Sequence, residues 1–432
     1  MNNEIKVFLP EKFDLVKGDV FQLFYRGVVD TPDPFAYDIL AVCEKGRNFP
    51  RYFEMMPEEE GEYELSIYVY GAGKELLGEG KTILKVTEPK SLEKNINILC
   101  IGDSLTAGGE WVGEAKRRLL ENGGEPFGAG LKNINFVGNC KKNDASFEAF
   151  GGWRWESFYS CVHSSIWIEC KHDKTAVDQH SLWEDERGSL WVLETIEKDR
   201  LKFNRAYLHA EPVPKSGFLK CYDYATNTLP IKIKSSTQEQ HSPFINPETD
   251  EADIKWYLDK NNIDNLDIVY ILLGTNGWIP EEYEKLTDEE YARVHADKGR
   301  ELVDLIHKAC PKAKVKILGL IGCCINGGAG TSYGARLPYC DDYGYMHFTM
   351  LLNKAYEEWS NEEKYKDFME FVNLSGQIDI DYAFPSEEKK VNSRSSTTEI
   401  IGTNGAHPTY EGYLQIADAV WRNMIANIKK IK

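Results

Sequence analysis

Basic charge is in short supply in this chain. Its 51 lysines and arginines stand against 69 aspartates and glutamates, a net charge of −18 over 432 residues. A field of that sign, spread along the chain, argues against nucleic acid and anionic membrane surfaces as partners and favours solubility. No apolar run reaches the ~18 residues of a membrane-spanning helix, so none is expected. The first residues, Met1 to Pro10, lack the apolar core of a signal peptide; the expectation is a cytoplasmic protein, unless a leader has been removed. The 10 cysteines have no framework spacing and read as reduced, half-buried thiols. Adjacent Cys323 and Cys324 invite redox chemistry, but a strand end explains them better. There is no internal repeat and no low-complexity tract. Gly327-Gly-Ala-Gly330 has neither a following Gly-Lys-Ser/Thr nor Rossmann spacing, so it reads as a loop and no organic cofactor is expected.

What is present falls into three rhythms. Residues 1–92 read as an all-β, sandwich-like accessory domain, with strands at 20–25, 63–70 and 82–86 between Gly, Pro and Asp punctuation. From 93 to 432 strands alternate with helices, the pattern of an α/β domain with a mostly parallel sheet. Buried strands are predicted at 96–101, 134–137, 266–273, 315–321 and 369–374, and helices follow Ser104, the Thr287/Glu290 capping box and residue 345, with a last one around Trp421. Between about 157 and 245 the alternation breaks into short strands, a β-rich insertion on a connecting loop.

The chain is organised around residues 95–108, where a short apolar strand runs into Gly102-Asp103-Ser104-Leu105 and then a helical pattern. A strand–turn–helix junction presents a reactive side chain at a sheet edge, where free N–H groups and the helix dipole favour negative charge. Ser104 is therefore a candidate nucleophile, or else only an N-cap. A nucleophilic serine needs a base, something to orient the base, and donors for the oxyanion. His407 lies in Gly402-Thr-Asn-Gly-Ala-His-Pro408, just before the last helix. Asn276 lies in Leu273-Gly-Thr-Asn-Gly277 after a buried strand. Gly152 lies in Phe150-Gly-Gly-Trp153, where a backbone N–H can approach a substrate closely. Singly, each reads as a turn, a cap or a bend.

Taken together, in chain order, these blocks resemble the SGNH hydrolases, the GDSL esterase/lipase family. The resemblance runs from about residue 95 to 430 and leaves the N-terminal residues and the insertion outside it. It implies a three-layer α/β/α domain with Ser104 as nucleophile and His407 as base. It also implies an oxyanion hole made by the N–H groups of Ser104 and Gly152 (Gly151 as the fallback) and by the Asn276 side chain. Two positions depart from the family. After Asn276 stands Gly277, where an Asp is frequent, a change that bears on loop structure; the second is the more serious. Three residues before the base, where an Asp is usual, stands Asn404. An amide oxygen can still fix the imidazole tautomer but cannot neutralise the imidazolium, and Asp→Asn in a serine triad costs up to ~10⁴ in rate. Three readings stay open: orientation by Asn404, another acceptor (a backbone carbonyl, Asp379, Asp381 or Asp418), or no catalysis. The retained blocks favour the first two.

The resemblance implies ester hydrolysis through an acyl-enzyme, without a metal or organic cofactor. The preceding β domain and the aromatics near the motifs (Trp153, Trp155 and Trp278, with Tyr333 and Tyr339) point to a small-molecule or oligosaccharide ester as partner, and to acetyl groups on a carbohydrate. A lipase or thioesterase on longer chains is the enzymatic alternative. A catalytically weak carbohydrate-binding or virion-associated structural module is the non-enzymatic one. Cys161-Val-His163 and Cys170-Lys-His172 are spaced as alternating strand residues rather than as zinc ligands, so no metal site is expected. Oligomeric state is not legible.

Overall fold

The computed structural model describes residues 4–91, 93–160, 165–172, 177, 179, 181–205, 216–221, 230–239, 242–249, 251–277, 285–324 and 342–431. Its centre is the strand Ile96–Gly102, buried at six of seven positions, as an apolar run covered on both faces must be. On one side it pairs in parallel with Ile268–Leu272. On the other side two short strands share its edge, Ile134–Val137 along residues 96–99 and Ala145–Ala149 along 101–102. Lys314–Leu318 and Met369–Val372 extend the sheet outward from Ile268–Leu272, again in parallel. With the two edge-sharing strands taken as one, the spatial order is 2-1-3-4-5. The order reverses between Ile96–Gly102 and Ile268–Leu272, the place beyond whose C-terminal strand ends open α/β sheets bind ligands.

Helices lie against this sheet in pairs: Glu110–Leu120 packs on Tyr410–Ile428, and Asp288–Asp297 on Asp342–Ser360. The capping box expected at Thr287 is formed, with Glu290 N–H on the Thr287 hydroxyl at 3.3 Å and Thr287 N–H on the Glu290 carboxylate at 2.9 Å.

The N-terminal region builds a four-stranded sheet, in which Gly61–Tyr70 lies between Asp38–Cys43 and Leu76–Thr87, and Lys12–Val16 pairs in parallel with the latter. Phe21–Phe24, Tyr52–Met55 and Arg47–Asn48 form a second, three-stranded sheet. Leu15, Phe21, Leu23, Leu65 and Ile67 are the heart of a separate apolar cluster. The seam with the α/β body is charged. Asp19 accepts from Arg118 at 2.7 Å and from Arg422 at 2.6 Å, and Arg118 also reaches Asp418 at 2.6 Å while lying 3.6 Å over the Trp421 ring. Arg118 is fully buried. Burying a guanidinium is tolerable only with carboxylates and a ring face around it, and this one has all of these.

Among the described residues the insertion forms one antiparallel sheet of seven strands, with Leu190–Ile196 and Arg200–Arg205 near its middle. Its hairpin turn holds Gly188 at φ +82°, and Trp183, Trp191, Leu193 and Phe203 make its own buried cluster. The short strands expected in this stretch include Ser165–Glu169, Leu182–Asp185, Leu190–Ile196 and Ile231–Ile233.

Candidate active site

Four of the expected residues come together at the sheet's C-terminal edge, beside the point where strand order reverses. The strand Ile96–Gly102 hands over to a one-turn helix, Ser104–Ala107. Gly102 has to be glycine: a Cβ there would stand 2.1 Å from the Thr106 hydroxyl. The N-cap of the short helix is Asp103, whose carboxylate accepts the Leu105 N–H at 2.9 Å. That settles the capping alternative for Ser104. Its hydroxyl is directed to the imidazole instead, with Ser104 Oγ 2.8 Å from His407 Nε2.

The other blocks are laced to this turn. Asn276 donates from its carboxamide to the Asp103 carboxylate at 3.1 Å and to the Trp153 carbonyl at 3.0 Å. One side chain thus ties together the loops that follow three neighbouring strands. Gly152 sits at φ +75° in the turn between Phe150 and Trp153, a conformation that favours glycine. Asp103 is wholly buried, and burial pushes its carboxyl up to about 7 although the Leu105 N–H and the Asn276 amide hold it down.

Asn404 works on the loop backbone. Its oxygen accepts the N–H of Ala406 at 3.1 Å and of His407 at 2.9 Å, which shapes the turn that carries His407. The three carboxylates weighed as alternatives are engaged in ion pairs: Asp379 and Asp381 with Arg51, Asp381 also with Arg26 at 2.6 Å, and Asp418 with Arg118.

The aromatic platform needs correction. Trp153 is 4% exposed and stacks on Phe150 at a centroid distance of 4.1 Å; Trp155 is 0% exposed and donates its indole N–H to the Tyr356 hydroxyl at 3.0 Å. Both are core residues, because large rings beside a glycine turn fill the space that the turn leaves behind. Trp278, Tyr333, Tyr339 and the 327–330 glycine run lie outside the described residues. So do Cys161 and His163. Cys170 is buried and its thiol is pushed up to about 11, and His172 Nε2 lies 2.7 Å from the Glu197 carbonyl. Among the described residues no group of three His, Cys, Asp or Glu could hold a metal, and no helix is long and apolar enough to cross a membrane.

Sequence reasoning missed the support under the Asn276 loop. His295 Nε2–H donates to the Gly274 carbonyl at 2.9 Å, and Tyr356 donates to the Leu273 carbonyl at 3.0 Å. His295 is 1% exposed, and burial pushes its imidazole down to about 3, so the ring is neutral and serves as a fixed donor. A signal was present: Tyr291, Ala292, His295 and Ala296 share one helical face, and a histidine on an apolar stripe needs a buried partner.

No family model and no curated protein matches the chain. Solved structures do resemble it. A carbohydrate esterase family 3 protein from Talaromyces cellulolyticus is 12% identical with a TM-score of 0.34, over 78% of this chain and 100% of the other. A carbohydrate acetylesterase from Sinorhizobium meliloti is 15% identical with a TM-score of 0.35, over 77% and 99%. A possible lipase from Chitinophaga pinensis is 12% identical with a TM-score of 0.35, over 78% and 100%. Likeness at this level decides nothing about chemistry, which rests on the geometry above.

Proposed function

We propose that this chain is a serine ester hydrolase of the SGNH kind that works through an acyl-enzyme. The observation that carries the reading is the 2.8 Å contact between Ser104 Oγ and His407 Nε2, at the sheet edge where α/β folds bind ligands. His407 takes the Ser104 proton as Oγ attacks the ester carbonyl. The N–H groups of Ser104 and Gly152 hold the oxyanion with the Asn276 amide. Because the amide of Asn276 already serves Asp103 and Trp153, its contribution is a hydrogen bond shared with one of those acceptors. His407 then protonates the leaving alcohol, and water attacks the acyl-enzyme with the same base assisting. The paired helices around the parallel sheet fit the three-layer arrangement of such enzymes.

In this reading the substrate is a short-chain ester, acetyl on a carbohydrate. It is supported by the β unit preceding the catalytic body and by the lack of long apolar stretches around the motifs. Hydrolysis of p-nitrophenyl acetate by wild type and by Ser104→Ala tests the chemistry. The variant is expected to fall to background, and equal rates would overturn the proposal. A chain-length series tests the acyl group: preference for octanoate over acetate would favour the lipase alternative. Asn404→Ala is expected to lower the rate, since two backbone N–H groups of the base loop lose their acceptor.

A further inference from the structure

The loop that carries His407 is held at both ends by another segment. Thr403 N–H donates to the Pro385 carbonyl at 2.9 Å, and Thr409 N–H to the Ala383 carbonyl at 2.7 Å. The residues just before are a closed turn, in which Tyr382 and Ala383 both donate to the Asp379 carbonyl, at 2.9 and 2.7 Å. Asp379 N–H donates to the Gln415 side chain at 2.9 Å, which fastens the turn to the last helix.

The side chains of that turn face the N-terminal β unit. Arg26 Nε donates to Asp381 at 2.6 Å, and Arg51 reaches both Asp381, at 3.2 Å, and Asp379. The Arg51 guanidinium also lies 4.6 Å from the centre of the Tyr382 ring. The side chains of Arg26, Asp379 and Asp381 are 14%, 16% and 16% exposed, and that of Arg51, at the rim, is 31%. Beside them the backbones of the two units are in close contact, for a Cβ on Gly27 would stand 2.0 Å from the Ser375 carbonyl oxygen.

We propose that Arg26 and Arg51 are positioning residues for the catalytic base. The β unit holds the 379–383 turn, the turn and Pro385 hold the ends of the 403–409 loop, and the loop sets His407 Nε2 against Ser104 Oγ. The inference rests on reading Ser104 and His407 as nucleophile and base. It has a physical motive in this chain. Where the related enzymes have an aspartate, Asn404 spends its oxygen on the loop backbone, so the placing of the ring depends on how firmly that backbone is held. A misplacement of about 1 Å in a reacting pair costs up to ~10²-fold in rate.

The test compares kcat and KM for p-nitrophenyl acetate in the full chain, in the Arg26→Gln/Arg51→Gln double variant, in each single Gln variant and in Arg51→Lys. Asp30→Asn is the comparator: it weakens another contact between the same two parts, Asp30 to His347 at 2.9 Å, without touching the turn. The double variant is expected to lose about tenfold or more in kcat, with KM changed by less than about twofold. Arg51→Lys, which keeps the charge, should recover much of the loss seen in Arg51→Gln. Asp30→Asn should lower Tm and leave kcat alone. Wild-type kcat in a folded double variant overturns the proposal, as does an equal kcat loss in Asp30→Asn, which would mean general loosening. Should the double variant not fold, the single variants decide, and wild-type kcat in both overturns it. Ser104→Ala run alongside separates the failures. If it keeps the rate, the hydrolase reading itself falls; if it is inactive while the arginine variants are unimpaired, only the positioning role falls.

Discussion

The two β units flanking the parallel sheet are joined to it in opposite ways. The N-terminal unit meets the α/β body through buried charge, with Asp19 between Arg118 and Arg422 and Asn423 donating to Asp14 at 2.7 Å. Val16, from its first strand, packs into the main apolar core. The insertion keeps a core of its own, the apolar cluster around Trp183, Trp191, Leu193 and Phe203, separate from the main one. A strand and a charged seam make the first unit part of the body that holds the site. A private core makes the second an attachment that can be perturbed alone.

The sharpest way to break this contrast is Asp19→Ala. It leaves two buried guanidinium groups facing each other, and a stability loss of about 3–5 kcal/mol is expected in chemical denaturation, with both parts unfolding in one transition. Two separate transitions in the wild type would show the seam to be weaker than its geometry implies. The matching change in the insertion is Leu193→Ala, with an expected cost of about 2–5 kcal/mol confined to that unit. Its rate on p-nitrophenyl acetate should stay that of wild type, and a large drop in kcat would erase the distinction.

His295 sharpens the comparison inside the body. Its imidazole is held well below the ordinary value, so the folded state stays unprotonated while the unfolded chain takes up a proton below about pH 6.5. Its stabilising contribution is full above that pH and is lost as pH falls toward about 3. Relative to His295→Gln, the wild type should lose about 2–4 kcal/mol across this window in pH-dependent denaturation; parallel curves would refute the assignment. The smallest effect belongs to the exposed pair of Lys6 and Glu289 at 3.3 Å, where Lys6→Ala should change stability by less than about 1 kcal/mol.

Much of the α/β body was legible because burial on both faces of a parallel sheet leaves unbroken apolar runs. The central strand expected at 96–101 ends one residue later than the pattern implied, and 134–137 is unchanged. The strands expected at 266–273 and 315–321 are shorter, because buried residues such as Leu273 and Leu320 continue past the last ladder hydrogen bond. The Trp-rich stretch after Gly152 misled because composition cannot tell which way a ring points. Trp153 and Trp155 turn inward, where Phe150 and Tyr356 receive them.

The sequence by itself determined the local chemistry: a glycine turn with no room for a Cβ at 102, a serine directly after it, and a histidine just before the last helix. Those depend on neighbours along the chain, where steric fit and capping act. Only the tertiary structure decided the rest. It brought the Ser104 hydroxyl to His407 across 303 positions. It gave Asp379 and Asp381 to arginines from the N-terminal unit. Hydrogen bonds and ion pairs between distant segments act over a few ångströms, so their partners exist only once the chain has folded.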